Sequence, residues 1–212
     1  MAFNEKGILT VISGFAGAGK GSIVNGLMEK HPDDYCLSIS ATTRKPREGE
    51  INGREYFFLS IDEFENKIRD NEFIEYARYV GNFYGTPKDY VLKMLRQDKN
   101  VILEIEVQGA LNVKNAFPDA LLLFVTPPDA RILEERLIGR GTEEKDVVEK
   151  RMSRAYEEAL LINNYDYFIV NDDLDLAINT THNIIYDEKC KINRNNAFTE
   201  GLIQQLKKFK KE

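Results

Sequence analysis

The glycine-rich stretch "SGFAGAGKGS", residues 13–22, is the feature that most constrains how this chain can fold. It follows a nearly continuous apolar run, "GILTVIS" (7–13), which predicts a buried strand of a parallel sheet. The segment after it, "SIVNGLMEK" (22–30), predicts a helix. A strand, a glycine loop and a helix in this order are the context of a phosphate-binding loop. The start of the chain therefore predicts an α/β protein that binds phosphate groups, the alternative being a glycine-rich turn without a ligand.

The loop has the residues that a triphosphate needs. Small residues let backbone N–H groups point at the phosphates, and the helix N-terminus adds positive potential. Lys20 is expected to reach the β- and γ-phosphates as a point charge. The residues predicted to bind the triphosphate are Gly14, Phe15, Ala16, Gly17, Ala18, Gly19, Lys20, Gly21 and Ser22.

Gly21 departs from the usual loop, which has a Ser or Thr hydroxyl facing Mg²⁺ at that position. Ser22 comes next, and we expect it to hold the β-phosphate side or a metal-bound water. Mg²⁺ keeps most of its waters in such sites, so the departure is compatible with Mg²⁺ entering together with the nucleotide. No direct side-chain ligand of the metal is assigned; Ser22, and Glu104 through water, are the candidates.

The rest of the chain predicts a parallel sheet wound with helices. Further buried strands are expected at 100–107, 120–125 and 167–170, separated by helices at 108–116, 129–138 and about 143–163. Residues 37–95 are instead aromatic and rich in short β segments, such as "CLSIS", which predicts a small inserted lobe. Residues 128–158 form a charged helical segment. The expected core is therefore 1–36, 96–127 and 159–212.

Bulk composition limits the partners and the compartment. The net charge of −6 gives no overall attraction to nucleic acid or to acidic membranes. Two cysteines, Cys36 and Cys190, are too few for a disulfide framework and indicate a reducing compartment. No apolar run approaches the roughly 20 residues of a membrane span, and the N-terminal segment is a poor secretory signal. We therefore expect a cytoplasmic protein whose basic tail, "KKFKKE", is a solvated helix end rather than an interaction patch.

A second cluster of candidate residues lies in "SISATTRKPREGEINGREYFF" (38–58). Arg44 and Arg47 are three residues apart, and two guanidinium groups can hold one phosphate dianion from two sides. Tyr56 stands in an apolar segment where its hydroxyl needs a partner. Glu75, in "FIEYA", either faces water or recognises hydrogen-bond donors on a base.

A third cluster lies in the charged helical segment and consists of Arg136, Arg140 and Arg151. Residues such as Val148 and Met152 follow helical spacing and predict a packing face, and Arg151 lies away from the centre of that face. The simpler interpretation is i, i+4 pairing of these arginines with the many glutamates nearby.

Taken together, these motifs resemble those of the bacterial-type guanylate kinase family, over residues 7–190. The motifs are "GFAGAGKGS", "SxSxTTRxPRxGExNGxxYxF" from Ser38, "EFIEYAxxxGNxYGT" from Glu72, "LEIEVQGA" from Leu103 and "RLxGRGTE" from Arg136. A GKG[ST] loop is itself typical of nucleoside monophosphate kinases.

The resemblance implies the reaction ATP + GMP ⇌ ADP + GDP, with Mg²⁺ bound to ATP and dGMP a candidate second acceptor. Ser40, Glu75 and Thr86 are implied to recognise guanine, and Glu106, where the family often has Asp, to lie beside guanine or the metal surroundings. The GMP phosphate is implied to be held by Arg44, Arg47, Tyr56 and Tyr84.

On the ATP side, residues 128–158 are implied to form a lid, from which Arg140 and Arg151 reach the transferred phosphate. Lys20 and Arg44, outside the lid, are implied to act with them in catalysis. Glu104 is implied to lie near the phosphates. Arg136 and Asn171 are implied to bind ATP, Asn171 at the adenine pocket, although a strand-ending turn residue explains Asn171 equally well. The partners are thus the nucleotides alone, and the oligomeric state is left open.

Three other functions fit parts of the sequence. A kinase for another monophosphate shares the loop, and Glu75 is the residue that discriminates. A non-catalytic binding module of the same fold typically lacks the loop and the lid arginines, which this chain has. A switch GTPase needs an Asn-Lys-x-Asp stretch, and residues 171–173 lack the Lys.

Overall fold

The computed structural model describes residues 7–79, 81–139 and 145–210. The strands in these ranges are β1 Leu9–Gly14, β2 Tyr35–Leu37, β3 Ala41–Thr42, β4 Phe57–Phe58, β5 Phe73–Tyr79, β6 Asn82–Pro87, β7 Asn100–Glu104, β8 Leu121–Thr126 and β9 Tyr167–Val170. The helices are α1 Lys20–Lys30, α2 Ile61–Arg69, α3 Lys88–Arg96, α4 Val107–Ala116, α5 Ala130–Ile138, α6 Lys145–Ala159, α7 Leu174–Glu188 and α8 Asn196–Leu206.

A five-stranded parallel sheet in the order β2-β7-β1-β8-β9 confirms the predicted α/β core. All of β1 is buried, because it pairs with β7 on one side and with β8 on the other. The strand order changes direction at β1, so the loop that follows β1 opens at the edge where a parallel sheet binds its ligands. The apolar runs of the sequence thus place the glycine-rich loop at the centre of this edge.

The predicted strand 100–107 ends earlier than expected. β7 stops at Glu104, and Glu106 is the N-cap residue of α4, which begins at Val107. The two glutamates therefore leave the sheet at its carboxyl edge, beside the loop after β1.

The inserted lobe contains a second sheet of four strands in the order β4-β3-β6-β5. Its core is a stack of aromatic rings, in which the centroid of Phe64 lies 4.4 Å from Phe73 and 5.3 Å from Phe83. Phe64 comes from α2, a helix that the β-rich reading of this region missed. Its sequence signal is a capping box, in which Ser60 and Glu63 each bind the other's backbone N–H.

The predicted start of the lobe at residue 37 differs from the structure at Leu37, whereas Cys36 belongs to the core as predicted. Both residues belong to β2, which pairs with β7 at the edge of the parallel sheet. The short strand is explained by Tyr35, which is buried in the main core and anchors the chain before it leaves for the lobe.

The C-terminal half packs as the helical spacing predicted. Val148 and Ala155 of α6 are buried in the main core, with Met152 and Ala159 packed against them. The last helix, α8, has no buried residue, in agreement with a solvated end. Within the part of the chain that is described, none of the helices combines the length and apolar character needed to cross a membrane.

The two histidines of the chain form one cluster between α1 and α7. The rings of His31 and His182 stack with their centroids 3.8 Å apart, and Nδ1 of His182 lies 2.8 Å from the hydroxyl of Tyr35. Partial burial lowers the pKa of His182, and the neighbouring His31 lowers it further, while Asp34 opposes both effects.

This cluster predicts a loss of stability in mild acid. The unfolded chain binds the His182 proton first as the pH falls below about 6.5, so the free energy of unfolding decreases until the lower folded pKa is passed. Urea unfolding at about pH 7.5 and about pH 5.5 should show a larger loss in the wild type than in His182→Gln, which cannot titrate there. Equal losses in the two proteins would contradict the role of His182.

Candidate active site

The loop between β1 and α1 is shaped by close approaches of its backbone. Gly14, with φ 136°, lies so near β8 that a Cβ there would be 2.0 Å from the carbonyl oxygen of Val125. Gly19, with φ 90°, leaves room for the side-chain amide of Asn171, which would be 2.2 Å from a Cβ. Only glycine tolerates both the backbone angle and the missing space. The packing of the core therefore fixes the shape of the loop.

Lys20, the first residue of α1, lies across the loop. Its ammonium donates hydrogen bonds to the carbonyl oxygens of Gly14 at 2.8 Å and Phe15 at 3.0 Å. The charge is thus fixed at the N-terminus of a helix, where an anion is already favoured.

Glu104 lies directly over Gly21. Both of its carboxylate oxygens would be 3.7 Å from a Cβ on Gly21, which is van der Waals distance. Desolvation raises the pKa of Glu104, and Lys20 opposes this, although the side chain remains open to the cavity beside the loop. A carboxylate therefore stands next to the position where the usual loop has its hydroxyl, and the exposed Ser22 lines the same cavity.

The loop forms one wall of a cavity of about 660 Å³, which we call the phosphate cavity. Its other walls are the turn after β7 and one face of α6. The lining residues are Gly14, Ala16, Gly17, Gly19, Lys20, Gly21, Ser22, Asn25, Glu104, Ile105, Glu106, Arg151, Arg154 and Glu158. Seven of the nine predicted phosphate-loop residues therefore meet Glu104, Glu106 and Arg151 in one place, whereas Phe15 and Ala18 are buried in the core and do not line the cavity. Arg140 lies outside the described residues.

Arg154, Glu158 and Asn25 line the phosphate cavity, and the sequence analysis did not assign them to it. Arg154 forms an ion pair with Glu106, and its Nε donates to Glu158 at 3.2 Å. The signal was present, because residues three apart on a helix share a face, and Arg154 follows Arg151 at that spacing.

Arg136 and Asn171 lie behind the loop rather than among the residues that line the phosphate cavity. The buried side chain of Asn171 donates to the carbonyl oxygen of Ala18 at 2.8 Å, and Arg136 donates to the carbonyl oxygen of Asn171 at 2.9 Å. These two bonds connect α5 and the end of β9 to the loop. The placement of Asn171 at an adenine pocket stays a prediction.

The paired arginines of the inserted lobe are organised by a carboxylate that the sequence analysis did not single out. Arg44 forms a two-pronged pair with Glu50, at 2.9 Å and 2.8 Å, and the backbone N–H of Arg47 donates to the same carboxylate at 2.7 Å. The hydrogen bond from Arg44 and then that from Arg47 lower the pKa of Glu50. A planar fork in this arrangement fixes the orientation of the guanidinium.

Two predicted tyrosines complete the surroundings of Arg44. Its guanidinium carbon is 5.3 Å from the centroid of the Tyr56 ring, and the Tyr84 side chain is a further hydrogen-bond partner. The rings of Tyr56 and Tyr84 meet edge to face at 6.1 Å. The structure therefore brings together Arg44, Tyr56 and Tyr84, as the motifs predicted, with Arg47 adjoining them through Glu50.

Glu75 points inward because the strand that carries it is irregular. The pairing of β5 with β6 shifts register between Phe73 and Tyr76, and Phe73, Ile74 and Glu75 are all buried in succession. Regular alternation would place Glu75 on the same face as Phe73, in the core of the lobe, whereas it lies beside α4 as Ile74 does, so the bulge redirects its side chain. The alternative that Glu75 faces water is wrong, since the residue is only 8% exposed.

The carboxylate of Glu75 has one fixed partner, the hydroxyl of Thr86, which donates at 2.8 Å. Burial raises the pKa of Glu75, and the hydrogen bond from Thr86 lowers it. The other oxygen lies close to Gly109 of α4, where a Cβ would be 3.2 Å away. Ser40, the residue before β3, is half-buried, and its carbonyl oxygen accepts a hydrogen bond from the Phe57 N–H.

The fold and this site define an α/β nucleotide-binding protein with a phosphate loop and an inserted lobe. A family model described as guanylate kinase matches residues 6–188. The chain belongs to the guanylate kinase family, which confirms the resemblance of its motifs.

Individual relatives agree with this membership. A guanylate kinase of Caldanaerobacter subterraneus subsp. tengcongensis is 46% identical over 195 residues, which are 92% of this chain and 94% of the relative. A guanylate kinase of Enterococcus faecalis is 48% identical over 191 residues, which are 90% and 94% of the two chains. The crystal structure of guanylate kinase from Anaplasma phagocytophilum matches with a TM-score of 0.76 at 28% identity and covers 98% of each chain. The expected enzyme class and the ATP-dependent phosphorylation of GMP are confirmed at this level.

The hydrogen bond between Asn171 and the loop gives a testable prediction. Asn171→Ala leaves the buried carbonyl of Ala18 without its partner, which costs about 1–3 kcal/mol. We expect the KM for ATP, measured by ADP release, to rise at least about fivefold, which corresponds to the lower end of that cost. The neighbouring, exposed Asp172→Ala is the control and should resemble the wild type.

A loosened loop holds any triphosphate less well, so inorganic tripolyphosphate should lose affinity for Asn171→Ala by the same factor as ATP. A loss confined to ATP would instead show that Asn171 contacts adenine, and an unchanged KM would show that the bond to Ala18 has no functional effect.

Proposed function

We propose that this chain phosphorylates GMP with the residues that meet at the phosphate cavity and in the inserted lobe. The observation that supports this assignment is the cavity itself, where the loop with Lys20, the carboxylates after β7 and Arg151 of α6 face one another. Phosphoryl transfer needs little covalent chemistry from the protein, only stabilisation of charge and alignment of the reactants. Lys20, the loop N–H groups and Arg151 supply positive charge around the γ-phosphoryl group.

We further propose Mg²⁺ as the metal that accompanies ATP. Ser22 and Glu104 line the phosphate cavity and offer oxygen atoms, which suit this ion. When bound, Mg²⁺ neutralises charge that develops between the β- and γ-phosphates.

The acceptor phosphate is assigned to Arg44, Arg47, Tyr56 and Tyr84. The Arg44 guanidinium is already oriented by Glu50 and by the Tyr56 ring, so binding requires little further ordering of that side chain. Such a clamp holds the acceptor oxygen in line with the γ-phosphorus and converts a collision into an oriented encounter. A phosphate oxygen of GMP is itself an anionic nucleophile, so this proposal includes no general base.

Guanine is assigned to Glu75, with Ser40, Thr86 and Glu106 as its other neighbours. The N1–H and 2-amino groups of guanine are donors, and an ionised carboxylate is an acceptor only. Thr86 supports the carboxylate by donating to one of its oxygens. Adenine presents a lone pair at N1 and is rejected by the same group, so Glu75 gives specificity by attraction and by repulsion.

We divide the chain as its motifs predicted, into a core (1–36, 96–127 and 159–212), the inserted lobe (37–95) and a lid (128–158), with the reservation that β2 extends the core to Leu37. Closure of the lobe and the lid excludes water that would otherwise accept the phosphoryl group. The assigned residues address the base and the phosphate of GMP, so dGMP is a second acceptor on this proposal. The two cysteines, both free, support a cytoplasmic location.

Removing the loop cation tests the phosphoryl-transfer assignment. Lys20→Ala should lower kcat for ADP formation at least a hundredfold, because loss of a preorganised charge costs on the order of 3 kcal/mol or more in the transition state. Affinity for GMP, measured by calorimetry, should change less than about threefold since the acceptor site is separate. Lys30→Ala, at the other end of α1, is the matched control. A Lys20→Ala enzyme with more than about a tenth of normal turnover would exclude the assignment.

Base recognition is tested at Glu75. Glu75→Gln keeps the size of the side chain but replaces one acceptor by a donor, so kcat/KM with GMP should fall about a hundredfold or more. IMP lacks the 2-amino group and should be affected much less. The ratio of kcat/KM for GMP and IMP, from coupled ADP assays, isolates this hydrogen bond. An unchanged ratio would place the recognition of the 2-amino group elsewhere in the lobe.

A further inference from the structure

Arg154 connects two parts of the site that are far apart in sequence. It lies on α6, three residues after Arg151, and both side chains line the phosphate cavity. Its Nη2 pairs with Glu106, 48 residues away at the N-cap of α4, and its Nε donates to Glu158 of its own helix. One guanidinium group therefore bridges α6 and the turn after β7.

The bridge meets a need for charge balance. The Glu158 side chain is only 15% exposed, whereas Arg154 and Glu106 are 46% and 56% exposed. A carboxylate in such a position requires a cation or it becomes protonated. Burial raises the pKa of Glu158, and Arg154 lowers it. Glu106 is then held by the same cation that Glu158 requires.

The second end of the bridge leads to the acceptor side. Glu106 caps α4, and α4 packs beside the Glu75 carboxylate through Gly109, three residues further on. On the other side, α6 rests on the core through Val148 and Ala155, which are buried. The hydrogen-bonded ion pair at the cavity face of the helix adds a directional restraint to this apolar packing.

We propose that Arg154 is a positioning residue that couples α6, and with it Arg151, to Glu106 on the acceptor side of the phosphate cavity. The proposal rests on the function proposed above for Arg151. Arg154 acts through the helix that it fixes: with the bridge intact, Arg151 stays directed at the position of the transferred group.

The chemistry of the two partners suits this role. A guanidinium is a planar fork that serves two carboxylates at once, whereas the single ammonium of a lysine is a point charge. The Glu106 side chain spans the distance to α6, and Asp, one methylene shorter, would withdraw its carboxylate from Arg154. Both ends of the bridge can therefore be changed conservatively.

The test combines kinetics with hydrogen exchange of the α6 amides, Lys145–Ala159, in the nucleotide-free protein. Arg154→Gln should accelerate that exchange and lower kcat for ADP formation about fivefold, with less than about a twofold change in the KM for GMP. Arg154→Lys should recover part of both effects. Arg131→Gln, which breaks an exposed i, i+4 pair with Glu135 on α5, is the matched control and should do neither.

The partner is identified by a double-mutant cycle. Glu106→Asp should accelerate exchange of α6 as Arg154→Gln does, and the double variant should exchange no faster than either single variant, because each removes the same bridge. Additive effects on exchange would overturn the pairing. Normal exchange in Arg154→Gln, or faster exchange with normal kcat, would overturn the positioning role.

Failure of the proposed function gives a different result. If Arg151 has no part in phosphoryl transfer, Arg151→Gln retains normal turnover. The exchange measurements still report on the bridge in that case, since they need no nucleotide. A normal kcat in Arg151→Gln would therefore overturn the coupling to Arg151 while leaving the Arg154–Glu106 pair established.

Discussion

The position of the loop between β1 and α1 is the constraint on which the rest of the site depends. Its backbone approaches β8 at Gly14 and the end of β9 at Gly19 so closely that no side chain fits. Lys20 then ties the start of α1 back to the Gly14 carbonyl. Because β8 and β9 are themselves fixed by the parallel sheet, the phosphate-binding N–H groups are set by the packing of the core rather than by the ligand.

Carboxylates organise the remaining positive charge. Arg44 is oriented by Glu50 in the lobe, and Arg154 by Glu106 and Glu158 at the phosphate cavity. An unpaired arginine on a mobile segment loses side-chain entropy when it binds a phosphate, and prior pairing removes part of that loss. The acidic composition of the chain is thus compatible with anionic substrates, since the glutamates act locally on particular guanidinium groups.

Sequence patterns predicted the centre of the parallel core well, because β7, β1 and β8 are buried on both faces and appear as apolar runs, as in "ALLLFV" at β8. They failed in the lobe, where the helical spacing of Ile61, Phe64 and Ile68 in α2 was overlooked among the β-rich segments around it. The inward direction of Glu75 depends on a bulge, and the placement of Asn171 on contacts between distant segments. Glu50 and Arg154 were missed because the role of each depends on its partner. For Arg154 that partner is Glu106, which is distant in sequence and comes close only in the folded chain.

The two arginine–glutamate bridges differ in a way that fits the two halves of the reaction. Arg44 and Glu50 are six residues apart, on one loop, and their side chains are 16% and 17% exposed. Because both partners belong to one loop, the closure of the lobe on GMP proposed above would leave the pair intact. Arg154 and Glu106 lie on different elements, and their side chains are about half exposed. Whether their ion pair forms therefore depends on the position of α6 relative to α4. Solvent screens such a pair and keeps its energy small, so α6 can be held in register without being locked in place. On the proposed function, a binding site for the acceptor needs fixed geometry, whereas a lid helix that closes over ATP must also release ADP, and the burial of the two bridges fits these two tasks.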